Sequence, residues 1–181
     1  SSFSKGVMEE VLLLTGKPGT GKTAIIKEAI AKTRVKSGGF YTEEIRTGGI
    51  RQGFKIITLD GKEAILAHVN ISSPYQVSKY KVDIDSLNNV GVSALHQALK
   101  ECDLIVVDEI GKMELLSPQF REVILQAMES CKKVLGTIML SPHPFADKIK
   151  QHSKVKVLLL SRANHSQVLG EILSWLKVTA K

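Results

Sequence analysis

The chain has 181 residues, 43% of them apolar and 24% charged, with two cysteines. That suits one domain burying roughly 70% of its unfolded surface, and it excludes a disordered segment and a disulfide-built scaffold. The formal charge is +7, which points to anionic partners, either nucleotides or nucleic acids.

Residues 1–9 do not begin with Met and read as an N-terminal extension or expression remnant, ahead of a single domain over 10–181. Val11-Leu12-Leu13-Leu14-Thr15 is short, continuous and apolar, which predicts a buried strand. A glycine-rich loop follows. Residues 23–34 then predict a helix, with Ala24, Ile25, Ile26, Ala29 and Ile30 on one side and Gly38-Gly39 as its stop.

The texture changes at 40–45, 53–59 and 64–69, which alternate or run apolar between turn signals at Gly48-Gly49 and Asp60-Gly61. This predicts an antiparallel insertion over about 40–70. After a short extended piece at 80–84 the alternation of strand and helix resumes. Helices are expected at 85–100, 118–131, 145–152 and 166–177, and strands at 104–107, 133–139 and 154–160. Strand cores rich in Val, Ile and Leu are the mark of a parallel sheet covered on both faces. The fold class is therefore α/β, mostly parallel, with helices on both faces and an antiparallel hairpin insertion.

Cys102 and Cys131 each flank an apolar strand pattern and are expected as buried thiols. Two cysteines without a zinc spacing suit a reducing, cytoplasmic setting. No apolar run approaches the ~20 residues of a membrane span, so no membrane partner is expected. His68, His96, His143 and His152 are dispersed and read as structural or surface residues.

Gly16-Lys17-Pro18-Gly19-Thr20-Gly21-Lys22-Thr23 fits G-x-x-x-x-G-K-[ST] between a predicted strand and a predicted helix. Glycines let successive N–H groups curl inward as an anion nest, and the helix that follows adds its positive end. In such a P-loop, Lys22 reaches the β- and γ-phosphates and the Thr23 hydroxyl binds Mg²⁺. The anion is then a nucleoside triphosphate, with Mg²⁺ as the cofactor.

Leu104-Ile105-Val106-Val107 ends in Asp108-Glu109, and α/β folds bind ligands at the C-terminal ends of such strands. Asp108 can hold Mg²⁺, and Glu109 can orient and deprotonate an attacking water. Ile110 and Gly111 continue the segment, with Gly111 allowing close approach to a ligand. Lys112 is a candidate for neutralising charge on the γ-phosphate. Arg46 and Arg51 flank the Gly48-Gly49 turn, where either could reach over the nucleotide as an internal arginine finger. Arg162 and Asn164 follow the last strand and could touch base or ribose. Thr42, Glu43 and Glu44 alternate on a strand and read as structural. Glu114 could pair with Lys112 or a nearby arginine.

Four stretches carry a family resemblance: the phosphate loop at 16–23, Gly39-Phe40-Tyr41-Thr42-Glu43-Glu44-Ile45-Arg46, Arg51-Gln52-Gly53-Phe54, and Val107-Asp108-Glu109-Ile110-Gly111-Lys112-Met113-Glu114-Leu115. With them the chain resembles the small P-loop nucleoside-triphosphatases of the THEP type, called cancer-related nucleoside-triphosphatase in vertebrates. The resemblance spans 11–176. It implies a RecA-like sheet and Mg²⁺-dependent hydrolysis of triphosphates to diphosphate and phosphate with broad base tolerance. It also implies nucleotide contacts along Gly16 to Thr23 and along Leu104 to Gly111. The family's Asn-Arg after the last strand is Asn164-His165 here.

A monomeric triphosphatase is the first expectation. A phosphotransferase, in which a nucleotide or RNA end replaces water, is the second. A nucleic-acid-binding ATPase switch is the third; the charge favours it, but no RNP or helix-turn-helix pattern supports it.

Overall fold

The computed structural model describes residues 10–177, so the expected extension over 1–9 lies outside the described residues. Five parallel strands form the frame. They are β1 (Val11–Thr15), β2 (Ser37–Thr47), β7 (Leu104–Ile110), β8 (Lys133–Ile138) and β9 (Val155–Leu159), in the order β2-β7-β8-β1-β9. Beyond β2 the sheet continues with antiparallel pairings through β3 (Ile50–Thr58), β4 (Glu63–His68), β6 (Tyr80–Val82) and β5 (Gln76–Val77) in turn. The result is one nine-stranded sheet.

Alternation along the strands divides the core in two, because successive side chains leave a strand on opposite faces. Leu12, Leu14, Leu104 and Val106 pack on one face with Ile25, Ile26 and Ala29 of α1 (Lys22–Lys32) and Val168 and Ile172 of α6 (His165–Trp175). Val11, Leu13, Ile105 and Val107 pack on the other. There they meet Leu95 and Ala98 of α3 (Ser93–Glu101), Phe120, Val123 and Ile124 of α4 (Pro118–Glu129), and Ala146 and Ile149 of α5 (Pro144–Lys150). The chain enters α3 through a short helical turn, α2 (Ile84–Ser86), and a π-helical stretch over Leu87–Val92. The expected helices and core strands are therefore all present, with ends shifted by at most three residues, and the fold is α/β with helices on both faces of the sheet.

The antiparallel hairpin expected over about 40–70 is present and widens the parallel sheet. Three other expectations are corrected. Ser37 to Phe40 pair in parallel with Leu104 to Val107 before the same strand continues into the hairpin with β3. Gly38-Gly39, read as a helix stop, is thus the parallel start of β2. Gly39 adopts φ +120°, and a side-chain carbon there would lie 1.9 Å from the Val106 carbonyl oxygen. Only glycine permits this approach, so the residue reads locally as punctuation while serving the sheet. Cys131 is exposed at the end of α4, with φ +62°; only Cys102 is buried. Ala24 is exposed and does not share the buried face of α1.

Candidate active site

The site lies where β1, β7 and β8 end side by side. After β1 the loop turns through Gly19 at φ +79° and Gly21 at φ +87°, left-handed conformations of the kind from which anion nests of backbone amides are built. α1 begins at Lys22 with no acid in its first turn, leaving its N-terminal charge directed at the loop. Lys22 Nζ donates to the carbonyls of Gly16 at 2.9 Å and Lys17 at 3.1 Å, and Thr20 Oγ1 donates to Lys17 O at 2.9 Å.

Asp108 is 4% exposed. Its carboxylate accepts from Thr23 Oγ1 at 2.5 Å and from Thr137 Oγ1 at 2.7 Å. Burial pushes its pKa up, and the two hydroxyls and Lys22 oppose that shift. Glu109 is also pushed up, first by burial and then by the Asp108 charge, with Lys22 opposing.

Two adjacent strand residues would ordinarily point to opposite faces. Here β7 pairs with β8 from Leu104 to Val107, and pairing resumes only at Ile110 with Ile138. The extra residue is a β-bulge of the kind that re-aims side chains beside active sites. Both acids face one cleft as a result.

That cleft, of about 430 Å³, is lined by Gly16, Gly19, Lys22 and Thr23 on one side and by Asp108 and Glu109 on its floor. Pro18 lies at its rim, and β2 and β3 supply the opposite wall with Thr42, Glu43, Glu44, Arg51 and Phe54. Arg51 is held there. Its Nε donates to the Tyr80 hydroxyl at 2.8 Å, its Nη1 donates to Glu44 at 2.9 Å, and the guanidinium lies over the Phe54 ring at 5.1 Å. Arg51 and Arg46 together hold the Glu44 carboxyl below the usual range.

Several expected residues do not reach the cleft. Arg46 bonds to Glu44 and to the Gly49 carbonyl at the hairpin tip, at 2.8 Å from the latter. Lys112 and Arg162 are exposed elsewhere. Asn164 closes its own loop, accepting from the Ser161 N–H at 2.8 Å and donating to the Leu159 carbonyl at 2.9 Å. Lys17 is exposed, Thr20 and Gly21 belong to the loop without lining the cleft, and Leu104, Ile105, Val106, Val107, Ile110 and Gly111 are buried. The neighbour His165 does touch the loop: its Nε2 lies 2.5 Å from the Thr20 carbonyl, to which it can only donate.

Four features escaped the sequence reading. Thr42, Glu43 and Glu44 line the cleft, although strand alternation made them look structural. Met139, Leu140 and Ser141 form the edge beyond β8. Thr137 secures Asp108; its one signal is a polar residue near the end of an apolar strand. Glu114 is paired with neither Lys112 nor an arginine but is buried.

A protein-family model described as NTPase matches residues 11–173. The nucleoside-triphosphatase THEP1 of Thermotoga maritima is 51% identical over 166 residues, covering 92% of this chain and 95% of that protein. The chain belongs to the nucleoside-triphosphatase THEP1 family. A THEP1 from Methanocaldococcus jannaschii is 41% identical across 92% of this chain and 99% of its own. Two solved members of the THEP1 and cancer-related group share the fold. The crystal structure of THEP1 from Aquifex aeolicus has a TM-score of 0.84 at 32% identity, covering 92% of this chain and 99% of that one. The solution structure of a human cancer-related nucleoside triphosphatase has a TM-score of 0.78 at 34% identity, covering 96% and 100%.

Proposed function

We propose that this chain hydrolyses nucleoside triphosphates to the diphosphate and phosphate, using Mg²⁺ and water as the acceptor. The observation that carries the reading is the single cleft in which Lys22 faces Asp108 and Glu109. Thr23 and Asp108 present a hydroxyl and a carboxylate oxygen 2.5 Å apart, a hard-oxygen pair suited to Mg²⁺. The ion would supply charge neutralisation at the β- and γ-phosphate oxygens.

The chain's own residues account for the rest. Loop amides and Lys22 bind and orient the triphosphate, and Lys22 balances charge as the γ-phosphoryl group transfers. Glu109 accepts a proton from water while the water oxygen bonds to the γ-phosphorus. The bond from that phosphorus to the bridging oxygen breaks, and the diphosphate leaves with the electron pair. Its upward-shifted pKa makes Glu109 a stronger base than a free carboxylate. Arg51, on the cleft wall, supplies further positive charge once it exchanges Glu44 for phosphate. Arg46, Lys112, Arg162 and Asn164 stand outside the cleft and receive no chemical step. Phe54, Met139 and Leu140 offer apolar contact open to any base, which supports broad base tolerance.

The free thiol of Cys102 suits a cytoplasmic setting. Among the described residues no helix is long and apolar enough to cross a membrane.

Phosphate release measured across several triphosphates with Mg²⁺ tests the proposal. Glu109→Gln is expected to keep nucleotide affinity and to lose about 10²–10⁴-fold in turnover. Near-normal turnover in that variant would remove the general base.

A further inference from the structure

Glu114 is an acid for which the proposed hydrolysis has no use. It begins the 3₁₀ turn Glu114–Leu116 just after β7 and is 4% exposed. The backbone N–H groups of Gly111 and of Glu114 itself favour the charged form of its carboxyl, against the larger effect of burial. No ion pair among the described residues includes it. A buried carboxylate without a cation is costly, and such a group holds its proton instead. Burial first, and then the charge of Glu109, push its pKa well above the ordinary range.

Its neighbour decides what that proton does. A side-chain carbon placed on Gly111 would sit 2.8 Å from Glu109 Oε1 and 2.9 Å from Glu114 Oε1. The two carboxyl groups thus share the space above one glycine. A protonated Glu114 has one O–H to donate, and the Glu109 carboxylate is the acceptor that lies across Gly111 from it. A charge-assisted O–H···O⁻ bond is among the stronger hydrogen bonds a side chain makes.

We propose that Glu114 is a positioning residue whose carboxylic O–H donates to the Glu109 carboxylate over Gly111, setting the orientation from which Glu109 takes a proton from water. The assignment rests on the general-base reading of Glu109. It also explains Gly111 at this position: any side chain there would separate the two acids.

Steady-state hydrolysis and nucleotide binding of the full chain test it with two variants. Glu114→Leu removes the donor and is expected to lower kcat about tenfold or more, with KM and nucleotide Kd unchanged. Glu114→Gln keeps an N–H donor in nearly the same place and is expected to recover kcat to within about threefold of wild type. In a Glu109→Gln background Glu114→Leu is expected to cost nothing further. Unchanged kcat in Glu114→Leu, equal losses in the Leu and Gln variants, or additive losses in the Glu109→Gln background would each overturn the proposal. Should Glu114→Leu fail to fold, Glu114→Gln alone decides: a loss as large as that of Glu109→Gln overturns it. Loss in Glu109→Gln with none in Glu114→Leu defeats this assignment alone. Retained turnover in Glu109→Gln defeats the general base as well.

Discussion

Asp108 shows how much of this site depends on one well-placed hydroxyl. Its two carboxylate oxygens are each matched to a threonine, Thr23 from the phosphate loop and Thr137 from β8. Replacing Thr137 by Val preserves the shape and leaves one buried oxygen unsatisfied, which costs about 1–3 kcal/mol. Denaturant unfolding of Thr137→Val without Mg²⁺ is expected to show that loss, and a midpoint equal to wild type would show that Thr23 alone suffices. The sequence made Thr23 legible and left Thr137 hidden. The first sits at a fixed spacing in a motif; the second acts across 29 residues, through a register that only the folded sheet creates.

At the scale of elements, β2 joins the two halves of the sheet. Its first residues run parallel to β7 and its later ones antiparallel to β3, so the wall carrying Glu44 and Arg51 is continuous with the strand carrying Asp108 and Glu109. The junction depends on Gly39 lying against the Val106 carbonyl. Gly39→Ala is therefore expected to cost several kcal/mol or to prevent folding, read as a large drop in Tm or in soluble yield; an unaltered Tm would contradict the close approach. Element type was legible where periodicity is strong: buried strands before the loop and before the acids, and amphipathic α3 and α4. It failed at Gly38-Gly39 because a glycine pair looks the same whether it ends a helix or lets two strands approach. The bulge that turns Asp108 and Glu109 to one side was equally invisible, since it arises from pairing with β8 rather than from the residues themselves.

For the whole molecule, buried protons link stability to pH. The folded-state pKa of Glu114 lies well above its ordinary value of 4.5, so between the two the native state holds a proton that the unfolded chain has released. The stabilisation is complete below the unfolded value and is lost as pH rises through the folded one. Asp108 and Glu109 shift in the same direction. Without Mg²⁺ and nucleotide, unfolding free energy is expected to fall from about pH 5 upward, and Glu114→Gln is expected to flatten the slope. Parallel slopes in the two proteins would place the retained proton on another group. Thr15 Oγ1 bonds to the Ile138 carbonyl at 2.8 Å, and Thr137 bonds to Asp108. Hydroxyls thus rivet three neighbouring strand ends into a single block that carries both the loop and the acids. An incoming polyphosphate therefore meets the cradle and the carboxylates as one preset gauge, whose spacing is fixed before it arrives.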